Sequence, residues 1–403
     1  MARGQQTPSP ASAAHPSPAS VSQPRLGDLR ELLAAQGCSG IMTESPLKLS
    51  ILDLVPVRGE QTTSDALRAS KSFVEKADAL GYTRYWVAEH HNMPAIASSH
   101  PAVELMHLGQ NTKQIRLGSG GVMLPNHAPY SVAEQFSLLA AVYGDRIDLG
   151  IGRAPGTDPF TRMAMWGHLG DGQVVNREGQ PVDPVEYFPQ HVMDILRLLS
   201  PEGLDVELFG DRKHTLRATP KLEVNPAAQV WLLGSSNYSS QLAAALGLPY
   251  VFANHFAGRG AQQAMQTYRD QFEASQFGSQ PRSFMTANVV VAETEEEAWN
   301  LAQPFLYQMA NLRVGAPMRS MPTVGRETDE VMSAGHRAVA DKLAQTYIIG
   351  TPKDAARQLR ELAAEGGVDE VMMQAVAGGY PDEDLGTSVA RERTLELLAE
   401  ELF

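Results

Sequence analysis

The stretch LSILDLVPVRGEQTTSDALRASKSFVEKADALGYTRYWVAEH, residues 49–90, carries one full turn of the pattern that sets the fold. LSILDL at 49–54 is a short apolar run of strand length, closed by a polar turn. A 3.6-period segment follows, with Leu67, Ser70, Val74, Ala77 and Leu80 on one face and Gly81 ending it. YWVAEH at 85–90 is the next strand. Apolar strands separated by amphipathic helices imply a parallel sheet covered on its outer face. Outward from this unit, further strand patterns lie near 115–123, 147–152, 229–234, 249–253, 284–292 and 370–375. Helical patterns lie near 64–80, 101–110, 130–142, 184–199, 238–246, 258–275, 294–310 and 352–365. Eight strands with eight helices predict an α/β fold of the (β/α)8 TIM-barrel type over residues 48–403. Two intervals exceed a simple βα unit and are read as insertions. One, 153–228, follows strand 4 and contains a possible strand pair around 204–224; the other, 311–345, precedes helix 8 and lacks strong periodicity.

Composition narrows the function. Among 403 residues, 33 Lys and Arg face 46 Asp and Glu, a net charge of −13. Phosphate-backbone binding needs clustered cations, so nucleic acid is not an expected partner. No apolar run reaches the ~20 residues of a membrane span. Cys38 is the sole cysteine, which excludes an intrachain disulfide and cysteine-based zinc or iron–sulfur centres. A cytoplasmic location is the expectation. Residues 1–47 form an N-terminal extension, Pro- and Ser-rich at its start and expected to be largely disordered, with a short helix at Leu26 to Gln36. It has no apolar h-region for a signal peptide; a transit peptide stays open, with only Arg3 and Arg25 as basic content up to residue 25.

In a barrel, chemistry sits at the C-terminal strand ends and the loops after them. VAEHH at 87–91 closes the second strand. Successive strand residues point to opposite faces, which argues against a metal site made of Glu89, His90 and His91. A structural histidine pair and a proton-transferring histidine at the mouth remain as readings. Gly120 and Gly121 interrupt an apolar strand and mark either a tight bend or a close approach of ligand to backbone. GIGRAPGTD at 150–158 lacks the dinucleotide spacing and is broken by Pro155, but Arg153 at a strand end suits a phosphate, with a surface ion pair as the plainer alternative. LLGSSNYSSQLAAALG at 232–247 puts free backbone N–H groups and hydroxyls at a helix N-terminus, an anion site if Arg153 joins it and an ordinary cap otherwise.

With EHH at 89–91, LGSGGVMLPNHAP at 117–129, AEQF at 133–136, RIDLGIGRAPGTD at 146–158, VWLLGSSNYSSQLAAALGLPYVFA at 230–253 and GTP at 350–352, the chain resembles the luciferase-like flavin-dependent monooxygenases over roughly residues 48–400. The resemblance implies an FMN site. Arg153, Ser235, Ser236 and Ser239 would take the phosphate, and the flavin ring would lie across Gly120 and Gly121, where relatives have a non-prolyl cis peptide. His90, with His91 beside it, would stand at the reactive edge as the catalytic pair. Reduced FMN from a separate flavin reductase, with O2, would then oxidise a small organic substrate such as an aldehyde or ketone. A deazaflavin coenzyme serving hydride transfer and a flavin-binding protein without turnover are the alternatives. The resemblance also implies a homodimer packed through helices near 64–80 and 101–142. The sequence departs from bacterial luciferase at Gly152, where that enzyme has a reactive cysteine, and at Gly120 and Gly121, where it has alanines, so light emission is not expected. Tyr143, Phe160, Met163, Met165 and Trp166 are the apolar pocket candidates.

Overall fold

A computed structural model describes residues 47–165, 183, 185–208, 212–220, 229–257, 260–325 and 332–403. The N-terminal extension up to residue 46, its expected helix and Trp166 lie outside these residues. The first repeat folds as its pattern dictates: strand β1 (Lys48–Asp53), helix α1 (Thr63–Leu80), strand β2 (Arg84–Val87). Thr62 and Asp65 form a reciprocal capping box at the start of α1, and Gly81, at φ +88°, ends it in the left-handed conformation that glycine adopts at low cost.

Six more strands complete the ring: β3 (Arg116–Ser119), β5 (Ile147–Gly152), β8 (Val230–Gly234), β9 (Tyr250–Phe252), β10 (Ser283–Val291) and β12 (Glu370–Ala375). Every pairing in the ring is parallel. The order β12–β1–β2–β3–β5–β8–β9–β10 closes when β10 pairs with β12. The fold is therefore a closed eight-stranded (β/α)8 barrel. Two short strands add to its rim, β4 (Val122–Met123) on β5 and β11 (Ile348–Gly350) on β10.

Side chains alternate across each strand. Ile51 faces the helical layer with Phe73, Val74 and Ala77, while Leu52 faces the interior with Trp86, Trp231, Val251, Phe284 and Met372. Trp86, Trp231 and Phe284 pack within 5.0–5.8 Å of one another, ring centre to ring centre, and fill the barrel. At the end where the strands begin, buried Asp148 accepts from Arg84 at 2.8 Å, Arg116 at 2.7 Å and the Trp86 indole at 3.2 Å, and Arg84 also reaches Glu370 at 2.7 Å. This ionic floor leaves the opposite end as the open one.

The insertions fall where the pattern put them. After β5 come α4 (Pro159–Met165), α5 (Phe188–Leu199) and an antiparallel hairpin, β6 (Leu204–Leu208) with β7 (Arg212–Leu216). Between β8 and β10 lie α6 (Asn237–Leu246), α7 (Asn254–Ala257) and α8 (Ala261–Asp270), so the helix expected over 258–275 is the shorter α8, with an unanticipated short helix, α7, ahead of it. Beyond β10 come α9 (Glu295–Arg313), α10 (Ala334–Ala344) inside the interval that showed no periodicity, and α11 (Pro352–Gly366). A further helix, α12 (Val389–Leu402), follows the last strand and was not anticipated. Its pattern is hidden because Arg391 occupies a core position: only 2% exposed, it pairs with Asp53 at 2.8 Å and lies 4.1 Å from the Phe73 ring centre.

Candidate active site

The third strand breaks at the two glycines. Gly120 and Gly121 are joined by a non-prolyl cis peptide between β3 and β4, at the place where the resemblance implies one. A Cβ on Gly120 would stand 2.6 Å from Leu52 Cδ1, and one on Gly121 would stand 2.8 Å from the carbonyl oxygen of Gly150. The site is therefore packed down to bare backbone on its inner side.

The second strand ends at Val87, three residues sooner than its pattern suggested. Beyond it the backbone N–H of His90 donates to Ser98 O at 3.0 Å and that of His91 to Gly156 O at 3.3 Å. Glu89 and His91, two residues apart, meet there as alternation itself allows, and His127 joins them from beyond β4. Fully buried Glu89 accepts through Oε1 from His91 Nε2 and His127 Nε2, each at 2.8 Å, and from Asn126 at 3.3 Å. Its Oε2 accepts from the N–H of Met123 at 2.9 Å. Burial pushes this carboxyl up, but hydrogen bonds from His127 and His91 outweigh it and hold the pKa at about 2. The carboxylate thus ties the His90 loop to the strand carrying the two glycines. Glu89, His91 and His127 also bring ligand-type atoms within 4.8 Å of one another, a different set from the Glu89, His90 and His91 weighed in the sequence. The four donors already satisfy the carboxylate without an ion.

The two histidines divide in consequence. The His91 ring is 8% exposed and committed to Glu89. His90 keeps its ring free: Nδ1 is buried with no hydrogen-bond partner, and burial lowers its pKa to about 4. His255, which the sequence reading passed over, lies in α7 just past the sixth barrel strand. Its Nδ1 is 2.6 Å from Thr286 Oγ1, and burial, then the charge of His90, lowers its pKa to about 4. The signal for it was present in FANHFA at 252–257, directly after an apolar strand.

Arg153 follows β5, and its guanidinium carbon lies 4.0 Å from the ring centre of Tyr238. Tyr238 is in the first turn of α6, so Arg153 meets the hydroxyl-rich turn after the fifth strand. Ser236 is the N-cap of α6 but makes no side-chain capping bond, and Ser235 and Ser236 are exposed. Buried Ser239 lies against Gly234, where a Cβ would come 2.4 Å from its Oγ. A cation, hydroxyls and uncapped helix N–H groups are thereby gathered at the open end of the barrel, a donor set suited to a phosphate.

The matched family is described as luciferase-like monooxygenase, over residues 47–370. The chain belongs to the luciferase-like monooxygenase family. It is 35% identical over 332 residues to a luciferase-like monooxygenase of Escherichia coli strain K12, covering 82% of this chain and 92% of that one. The crystal structure of apo-MsnO8 matches with a TM-score of 0.72 and 30% identity, over 89% of this chain and 99% of the other. The fold also recurs, at 17% identity and a TM-score of 0.63, in the oxygenating constituent of 3,6-diketocamphane monooxygenase from Pseudomonas putida in complex with FMN, over 88% of this chain and 97% of that one.

The apolar pocket candidates scatter. Phe160, Met163 and Met165 sit on α4 beyond Arg153, with Phe160 83% exposed. Tyr143 ends α3 (Pro129–Tyr143) and donates to Met106 O at 2.7 Å, at the floor end of the barrel and away from the mouth. Among the described residues, no helix is long and apolar enough to cross a membrane.

Proposed function

We propose that this member of the family is a flavin-dependent monooxygenase that binds reduced FMN at the barrel mouth and oxidises a small organic substrate with O2. One observation carries the reading: Arg153 stacked on Tyr238 beside the uncapped start of α6. There Arg153, Ser235, Ser236 and Ser239 would hold the phosphate, and Gly120 and Gly121 would give the ring bare backbone to lie against. Bound reduced flavin supplies the electrons that activate oxygen. The chain itself orients the ring, excludes water and offers the neutral His90 imidazole to the reacting end. The electrons come from a separate flavin reductase; in support, the glycine run at 150–156 has no dinucleotide spacing. The protein works as a homodimer, the surface for it being the exposed apolar side chains Val103 on α2 (Pro101–Leu108) and Leu138 and Val142, one helical turn apart, on α3.

Fluorescence titration with FMN tests this directly. Arg153→Ala should weaken FMN binding ~10- to 100-fold, the loss of a charge-assisted hydrogen bond of roughly 1.5–3 kcal/mol. Unchanged affinity would remove the basis of the assignment. The same titration with a deazaflavin coenzyme, followed by oxygen uptake, separates oxygenation from hydride transfer.

A further inference from the structure

His255 has no part in the reading above, yet its setting is built rather than incidental. β2 and β9 are the second and sixth strands of an eight-strand ring, so they stand opposite each other. His90 follows the one and His255 the other. His255 Nδ1 meets Thr286, which shares the inner face of β10 with Phe284, so its ring stands on the inner side of the mouth, across from the loop that carries His90. Interior positions of β10 hold the second ring. Thr286 Oγ1 meets its Nδ1 at 2.6 Å and its backbone N–H at 3.2 Å, and Asn288 Nδ2 donates to its carbonyl at 3.0 Å. From outside, Arg313 on α9 donates to Phe256 O at 3.2 Å and covers the Phe256 ring at 5.0 Å. Five contacts from two elements fix one short helix and aim one imidazole.

We propose that His255 is the second imidazole of the active site, and that the substrate enters between it and His90 with a hydroxyl or amide group at its leading end. A neutral imidazole presents one nitrogen as donor and the other as acceptor. A group that both donates and accepts can bridge two such rings in either tautomer, whereas an anion could only accept from ring N–H groups and would be buried there without a cation to pair it. This rests on the flavin reading in taking the mouth as the reacting end.

The test is side-chain 15N NMR of the full chain without FMN, with the ring signals assigned from His90→Gln and His255→Gln. Titration with 1-butanol or propionamide should shift both rings, and sodium propionate should shift neither. His255→Gln should weaken 1-butanol binding about fivefold or more, with FMN affinity and melting temperature close to wild type. Shifts at His90 alone, or preference for propionate, would overturn the proposal. So would unaltered butanol affinity in a folded His255→Gln variant. Since these titrations use no FMN, failure of FMN to bind the wild type would sink the flavin reading separately.

Discussion

Replacing Glu89 by glutamine keeps the shape of the side chain and removes the charge that four donors converge on. The native carboxyl is held at about 2, against an ordinary 4.5, because hydrogen bonds from His127 and His91 overcome the cost of burying it. A depression of that size corresponds to about 3.4 kcal/mol of folding free energy at pH 7. The folded pKa lies below the unfolded one, so the contribution is complete above the unfolded value and drains away as pH falls from 4.5 toward 2. By the same relation it is about 2.6 kcal/mol at pH 4 and about 1.4 kcal/mol at pH 3. Glu89→Gln forfeits it and turns an amide N–H2 toward ring N–H groups. Urea unfolding of both proteins at several pH values measures the difference. The gap should be about 3 kcal/mol at neutral pH and should narrow on acidification. A gap below about 1 kcal/mol at pH 7, or one constant with pH, would refute the view that the carboxylate is the knot of this network.

Glu104 should behave in the opposite sense. Burial raises its carboxyl to about 7, although the backbone N–H groups of Ser99 and His100 donate to Oε1, and Oε2 is buried without a partner. The wild type should therefore lose stability relative to Glu104→Gln as pH rises from 5 to 8, measured by melting temperature. Arg391→Ala should cost roughly 3–5 kcal/mol in urea unfolding, since it strands fully buried Asp53 without its cation. Leu138→Glu should give a monomer in light scattering where the proposed homodimer has the wild type dimeric, without lowering FMN affinity.

The barrel was legible because its strands are buried on both faces, so that runs such as LSILDL and VWLLG stand out against amphipathic helices. The meeting of Arg153 with the start of α6 was legible because cation and hydroxyls follow neighbouring strands, and ring order puts neighbours side by side. The Glu89 network was not. It depends on where β2 stops pairing, and on His127, which is 36 residues from His91 in sequence and joins it only through β3. His255 was missed for a related reason: FANHFA marks a histidine just past a strand, but its anchor, Thr286, lies 31 residues further on. α12 was obscured by Arg391, a charge used as a core residue.

The edge-to-face tryptophans and the Asp148 ion cluster close off one end of the barrel. All traffic must consequently share a single doorway. Whichever guest sits deepest has to arrive first and depart last, so the architecture by itself imposes an order on comings and goings before any side chain selects among visitors.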